Sequence, residues 1–290
     1  MKREILLLNI IIGISIIFSS CNSGITYPPV SSTVTQEHNQ GQFLWHDLAT
    51  SSPEIAMKFY AEVFGWQFET LGSGSSAYYV VKNNGKPVGG IFKLADKYGN
   101  TAEWISSISV DDVDEALTYN LTKGGKVVFK KEFFVGRGET ALIQDPQNAL
   151  IALLHSESGD PTPVRAADVE MNSWLWDELW TNNLQGSLDF YEGLVAYEAS
   201  EVENSKRPYF IFKRDNRILS GAIGNPVEGG SRSAWMPYIK VQDVNETLAK
   251  AKKAGARVML EPGPEIRKGT VAVLLDPTGA QFTIQQWILR

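Results

Sequence analysis

Residues 43–66, FLWHDLATSSPEIAMKFYAEVFGW, and residues 174–197, WLWDELWTNNLQGSLDFYEGLVAY, are two versions of one pattern. Trp45 matches Trp176, Asp47 matches Glu178, Thr50 matches Thr181, and Phe59-Tyr60 matches Phe190-Tyr191, all at one separation (176 − 45 = 131; 191 − 60 = 131). Six of the 24 aligned positions are identical, several-fold more than chance gives. The register then holds along the chain: Trp104 and Trp235, Asp112 and Asp243, Val127 and Val258, and Asp145-Pro146 and Asp276-Pro277 are also 131 apart. Apolar positions and turn positions are kept together, which marks a tandem duplication and restricts the fold to two similar halves.

Within the first copy, Leu44–Ala49 alternates as a strand. Pro53 stands at a helix start with Ser51 or Ser52 as its N-cap. Ile55, Ala56, Phe59, Tyr60, Val63 and Phe64 then recur at helical spacing up to Gly65. Tyr78–Lys82 and Val88–Leu94 read as strands around the turn signal Asn83-Asn84-Gly85. The order repeats: strand Trp104–Val110, a helix from Asp111-Asp112 to Gly124-Gly125, and strands Val127–Phe129, Thr140–Gln144 and Ala149–Leu154. Each copy therefore holds two βαβββ units. The expected class is α+β, with tandem domains at 42–155 and 173–290 and a polar linker at 156–172.

Length and composition fit this reading. The 290 residues suit two domains that each bury a core. A net charge of −6, without a long Lys/Arg run, argues against nucleic acid as a partner. The first residues have a different character. Lys2 and Arg3 precede the apolar run Ile5–Phe18, which is followed by Ser19, Ser20 and Cys21. That is the layout of an export signal, 1–21, and the run is shorter than the roughly 20 residues of a spanning helix. Phe18-Ser19-Ser20-Cys21 resembles the bacterial lipobox, which implies lipidation of Cys21 and a membrane lipid as its partner. Asn22 after the cysteine resembles the default outer-membrane sorting signal where two membranes exist. Cys21 is the single cysteine, so no intramolecular disulfide can form. Residues 22–41, rich in Pro, Ser, Thr and Gln, are expected to be a flexible tether.

Paired βαβββ units, the Phe-Tyr helix, the Asp-capped second helix and the final Asp-Pro turn together resemble the vicinal oxygen chelate superfamily. This is the glyoxalase, bleomycin-resistance and extradiol-dioxygenase group. The openings Trp45-His46-Asp47-Leu48 and Trp176-Asp177-Glu178-Leu179 are similar to its tandem-domain, hydroxylase-like branch. The resemblance implies that each domain curls its sheet into a cup around a ligand or metal, with the helices outside.

In the family, metal ligands lie on the first strand of each unit and on the last strand. Those positions fall here on Trp45, Ile105 and Ala152, and in the second copy on Trp176, Met236 and Thr283. Trp, Ile and Ala have no lone pair to offer, and Met and Thr are poor ligands for a hard divalent ion. The three histidines are His38, His46 and His155, and none falls in the second copy. The expectation is no metal and no other cofactor.

Alternation places Trp45, Asp47 and Ala49 on one face of the first strand, and Trp176, Glu178 and Trp180 on the equivalent face of its repeat. Met236, Tyr238 and Lys240, with Gln281, Thr283 and Gln285, complete the second cup. An aromatic wall with a few converging polar groups suits a small aromatic or amphipathic molecule. Trp45, Trp176, Trp180, Met236, Tyr238, Lys240, Thr283 and Gln285 are the candidate ligand-binding residues. Glu178, and Asp47 as its counterpart, are the candidate acids or bases. The opposing structural role for Glu178 is a hydrogen bond to backbone or a pairing with Lys240.

Three functions remain open. One is a membrane-anchored, metal-independent small-molecule binding protein. Another is a lyase- or oxygenase-type enzyme using Glu178 or an unrecognised metal site. The third is an interaction module with filled cups. The ligand's identity, any sharing of a site between the domains, and the oligomeric state are not legible in the sequence.

Overall fold

The computed structural model describes residues 24–94, 102–203, 205, 207–226 and 232–287. The expected export segment, with Cys21, lies outside these residues. The first copy runs β1 (Phe43–Thr50), α1 (Pro53–Phe64), β2 (Gln67–Leu71), β3 (Tyr78–Asn83), β4 (Lys86–Lys93), β5 (Ala102–Ser109), α2 (Val113–Thr122), β6 (Lys126–Phe134), β7 (Gly138–Gln144) and β8 (Leu150–Ser156). The second runs β9 (Trp174–Thr181), α3 (Leu184–Val195), β10 (Glu198–Glu201), β11 (Tyr209–Arg214), β12 (Arg217–Gly224), β13 (Ala234–Val241), α4 (Val244–Lys253), β14 (Arg257–Leu260), β15 (Val271–Leu275) and β16 (Gln281–Gln286).

Local sequence explains most of these boundaries. Pro53 opens α1, and Gly65 ends it in the left-handed region (φ 73°) that a Cβ would disfavour. Ser52 sits at the N-cap but its side chain makes no capping bond. Asp112 and Asp243 do cap their helices, accepting from Glu115 N and Glu246 N at 2.9 Å each. Strands β2 and β10 carry no readable pattern because they lie at sheet edges with mostly exposed side chains.

Each copy forms one eight-stranded mixed sheet, in the orders β2-β3-β4-β1-β5-β8-β7-β6 and β10-β11-β12-β9-β13-β16-β15-β14. The two βαβββ units of a copy meet at the antiparallel pair β1–β5 or β9–β13. Parallel pairs β1–β4 and β5–β8, and their repeats, flank that centre.

The two sheets share their cores crosswise. Helix α1 buries Ala56, Phe59, Tyr60, Val63 and Phe64 in one cluster with Val244, Leu248, Leu274, Phe282 and Ile284 of the last unit. The second cluster joins Ile108, Val113, Ile143 and Ile151 to Leu188, Phe190, Tyr191, Phe212 and Trp235. Unit one therefore packs on unit four, and unit two on unit three. Each fully buried large side chain in this seam contributes about 1.5–3 kcal/mol, so the copies stabilise one another.

Polar groups follow the same crossing. Trp104 Nε1 donates to Tyr60 Oη (2.6 Å), and Tyr60 donates onward to Asp276 Oδ2 of the other copy (3.1 Å). Trp235, Tyr191 and Asp145 repeat the relay at 2.7 and 2.9 Å. At the centre, His46 and its repeat equivalent Asp177 (46 + 131 = 177) face each other. His46 Nε2 lies 3.0 and 3.1 Å from the Asp177 oxygens, Ser106 Oγ donates to Asp177 Oδ1 at 2.6 Å, and the imidazole stacks on Trp174 at 4.2 Å.

Residues 24–41 differ from the expected flexible tether. They lie along the first domain as a docked strap. Tyr27 N donates to Val135 O (2.8 Å), Thr35 N to Ser158 O (3.0 Å) and Gly41 N to Ser109 O (2.9 Å). Asp160 anchors both ends of this contact, giving its N–H to Glu37 O (2.7 Å) and accepting from Asn39 N (2.7 Å) and Ser109 Oγ (2.6 Å). Backbone groups that a Pro- and Ser-rich segment cannot pair internally are paired to the domain instead.

Candidate functional site

The concave face of the first sheet encloses a cavity lined by Tyr27, Asp47, Tyr78, Phe92, Ile105, Ser107, Phe129, Phe134, Arg137, Thr140, Leu142, Ala152 and Leu154. The space between these side chains is about 550 Å³ with the open mouth included, and the fully enclosed part is far smaller. Tyr27 of the strap closes part of the mouth, edge-on to Tyr78 (5.0 Å) and Phe134 (5.3 Å).

The polar floor is one cluster. Tyr78 Oη donates to Asp47 Oδ1 at 2.6 Å, and Trp45 Nε1 lies 3.0 Å from both acceptors. Arg137 stands over the Trp45 ring at 3.7 Å and donates from Nε to Pro28 O (3.0 Å). Burial raises the Asp47 carboxyl above the usual carboxylate range, while Arg137, Tyr78 and Trp45 pull it down. Burial, with Asp47 beside it, pushes the Tyr78 phenol well above its ordinary value, so it remains a donor. Gly90 is needed beside this cluster, because a Cβ there would collide with Tyr78 Oη and Asp47 Oδ1.

In the second cup, on which the sequence concentrated the candidate ligand residues, the side chains form a buried polar network. Glu178 Oε1 accepts from Trp180 Nε1 (2.9 Å) and Tyr238 Oη (2.7 Å), and Arg267 binds Oε2. Arg267 also donates to Tyr209 Oη (3.0 Å) and Gln285 Oε1 (3.1 Å). Its own backbone is left-handed (φ 43°), a conformation these side-chain bonds help to hold. Glu178 thus pairs with Arg267 and not with Lys240. Lys240 Nζ instead donates to Ala166 O, Ala167 O and Val169 O at 2.7–3.1 Å. It fastens the linker, whose Ala166 and Val169 pack against the cluster of Trp180, Met236 and Tyr238. Trp180 and Tyr238 thus bond Glu178, Gln285 bonds Arg267, Lys240 bonds the linker, and Met236 packs beside them. Trp176 Nε1 and Thr283 Oγ1 are buried without hydrogen-bond partners.

Arg137 and Arg267 were missed in the sequence. Both sit in the turn between the sixth and seventh strand of their copy, one position out of the repeat register (267 − 137 = 130), so the comparison of copies does not align them.

The donor set does not fit a divalent metal. Register places Trp45, Ser107 and Ala152 side by side across the first cup, and Trp176, Tyr238 and Thr283 across the second. Ser107 and Tyr238, not Ile105 and Met236, are thus the residues in line. Asp47 and Glu178 offer one anionic group per cup, each already bound by Trp and Tyr donors and faced by an arginine. A hard cation needs several oxygen or imidazole donors converging on one point.

Comparisons with known proteins agree with this architecture. The profile of the Glyoxalase/Bleomycin resistance protein/Dioxygenase superfamily matches residues 42–153 and 175–284. CFP32 of Mycobacterium tuberculosis, described as a candidate glyoxylase, is 32% identical over 255 residues, 86% of this chain and 95% of its own length. The anthracycline biosynthesis protein DnrV of Streptomyces peucetius is 24% identical over 123 residues, 38% of this chain and 45% of its own. Among solved structures, homoprotocatechuate 2,3-dioxygenase of B. fuscum superposes with a TM-score of 0.58 at 12% identity, covering 90% of this chain and 74% of that one. The Mn(II)-bound glyoxalase of Novosphingobium aromaticivorans gives 0.55 at 12% identity, covering 86% and 84%. Two matched segments, each coinciding with one cupped sheet, place the chain in the Glyoxalase/Bleomycin resistance protein/Dioxygenase superfamily.

Proposed function

We propose that the protein is an exported, lipid-anchored member of the superfamily that binds a small molecule in the cup of its first domain without a metal. The observation that carries this reading is the first-domain cavity, which joins apolar walls to a polar floor of Asp47, Tyr78 and Arg137. Pockets of this composition are the usual sites for small ligands. The second cup, closed by Arg267, Glu178 and the linker, serves as scaffold in this reading.

Membrane anchoring rests on the Lys2-Arg3, Ile5–Phe18 and Cys21 pattern. With Cys21 lipidated, two residues separate it from Gly24, and the three chain steps span at most roughly 10 Å. The docked strap would then hold the first domain close to the membrane surface, on the side facing away from the cytoplasm. Metabolic labelling with palmitate tests the anchor: label should enter the wild type and be absent from Cys21→Ser. Quenching of tryptophan fluorescence by an aromatic and amphipathic metabolite panel tests binding, since Trp45 bonds Asp47 and Tyr78 of the cavity lining. Complete insensitivity, or one tightly bound metal per purified chain, would overturn the reading.

Asp47 favours a second reading, an enzyme. Its burial-raised carboxyl faces the cavity and could hold or accept a proton there. Turnover lost in Asp47→Asn with ligand binding retained would establish it.

A further inference from the structure

The two cups share one plan but hold their carboxylates differently: Asp47 in the first is bonded by Trp45 and Tyr78, and Glu178 in the second by Trp180, Tyr238 and Arg267. In the second, Glu178 reaches Arg267, which also bonds Tyr209 and Gln285, so the guanidinium is satisfied. In the first, Asp47 is one carbon shorter and makes no ion pair with Arg137 among the described contacts. Arg137 is 6% exposed, and its Nη2 is buried without an acceptor. Thr140 Oγ1, on the same cavity wall, is also buried and unpartnered. An unsatisfied buried donor costs about 1–3 kcal/mol, and more when charged. Folded proteins keep few such groups, and a binding site is one place where the missing partner arrives from outside.

We propose that the first cup binds a small carboxylic acid with an apolar body, its carboxyl group accepting from Arg137 Nη2 and sharing one proton with Asp47. This rests on the reading of the first cup as the ligand site. The remaining wall near Arg137, formed by Phe92, Ile105, Phe129, Phe134 and Leu142, is apolar and suits an aryl or branched alkyl body.

Charge balance requires the proton. Among the described residues Arg137 is the one cation facing this pair, so Asp47 and a bound acid both ionised would leave a net buried negative charge. The groups around Asp47 supply no alternative cation. Tyr78 faces it from β3, Tyr27 closes the mouth from the strap, and Arg137 comes from the β6–β7 turn. His46, the next residue on β1, is held by Asp177 on the opposite face of the sheet. One proton taken from solvent on binding lies between the acid and Asp47, and its neighbours stay as they are.

The test is isothermal titration of the full chain in detergent with phenylacetate, hexanoate and methyl phenylacetate between about pH 6 and 8. An acid should bind, its affinity falling as pH rises because the complex holds one proton, and the ester should bind at least about tenfold more weakly. Arg137→Gln should remove the preference for acid over ester. Asp47→Glu, which rebuilds the closed pair of the second cup, should lose acid binding while melting no lower than the wild type. Equal affinity for acid and ester, or unchanged acid affinity in Arg137→Gln, would overturn the carboxylic-acid assignment and leave the cup as a binding site. Binding of none of the three probes would overturn the assignment and count against the cup as well.

Discussion

Tyr60 Oη lies 3.1 Å from Asp276 Oδ2, although 216 positions separate the two residues in the chain. Tyr191 and Asp145 form the same contact at 2.9 Å in the opposite direction between the copies. The repeated Phe-Tyr and Asp-Pro signatures are thus the two ends of one inter-copy bond, made twice. Each phenol also accepts from an indole, Trp104 or Trp235. Burial and the facing carboxylate push both phenols well above their ordinary values, so they stay protonated donors.

Removing a phenol hydroxyl leaves a buried carboxylate oxygen and a buried indole N–H without a partner. Tyr60→Phe and Tyr191→Phe should each lower unfolding stability by about 1–3 kcal/mol, read from urea denaturation. Loss of well under half a kcal/mol in both would show that the relay is incidental.

Burial pushes the Asp145 carboxyl up to about 6, against the opposing pull of the N–H groups of Ala149 and Gln147 and of Tyr191. The folded chain therefore holds this proton where the unfolded chain, with an ordinary carboxyl near 4, has released it. Its stabilising effect is full below about pH 4 and is lost as pH rises through about 6. Asp145→Asn removes the linkage. The stability difference between wild type and Asp145→Asn should shrink by up to about 3 kcal/mol across that window, measured by urea denaturation at several pH values. A constant difference would contradict the assignment.

His46 and Asp177 form a buried pair, each with a side chain 4% exposed. Removing either side chain leaves a buried polar group without its partner, which costs about 1–3 kcal/mol. His46→Ala and Asp177→Ala should each show losses of this order. The double variant should lose clearly less than their sum, and strict additivity in the double-mutant cycle would rule out direct coupling.

Glu178 and Arg267 are unequally buried, with side chains 4% and 30% exposed respectively. Arg267→Met strands a buried carboxylate, whereas Glu178→Met leaves a guanidinium that can reach water. The arginine variant should be the less stable of the two, with a loss of about 3 kcal/mol in thermal or urea melts. Neither should change ligand binding in the first cup, and a loss of binding in Glu178→Met would return the second cup to candidacy.

The sequence by itself determined the duplication, the four βαβββ units, most strand and helix positions and the faces of the central strands. These properties are encoded locally, in two-residue and 3.6-residue periodicity and in capping and turn residues. Alternation along β1 and β9 put Trp45 with Asp47, and Trp176 with Glu178, on one face of each sheet, and the family resemblance made that face the concave one. Only the tertiary structure showed which distant groups reach into each cup. That outcome depends on contacts between segments far apart in the chain. Lys240 fastens the linker across the second cup, Arg267 reaches Glu178 from an irregular turn, and Tyr27 with Pro28 packs on the first cup from a segment with no periodic pattern. Arg137 Nη2 is buried beside Asp47 without an acceptor, and neither periodicity nor motif spacing records that placement.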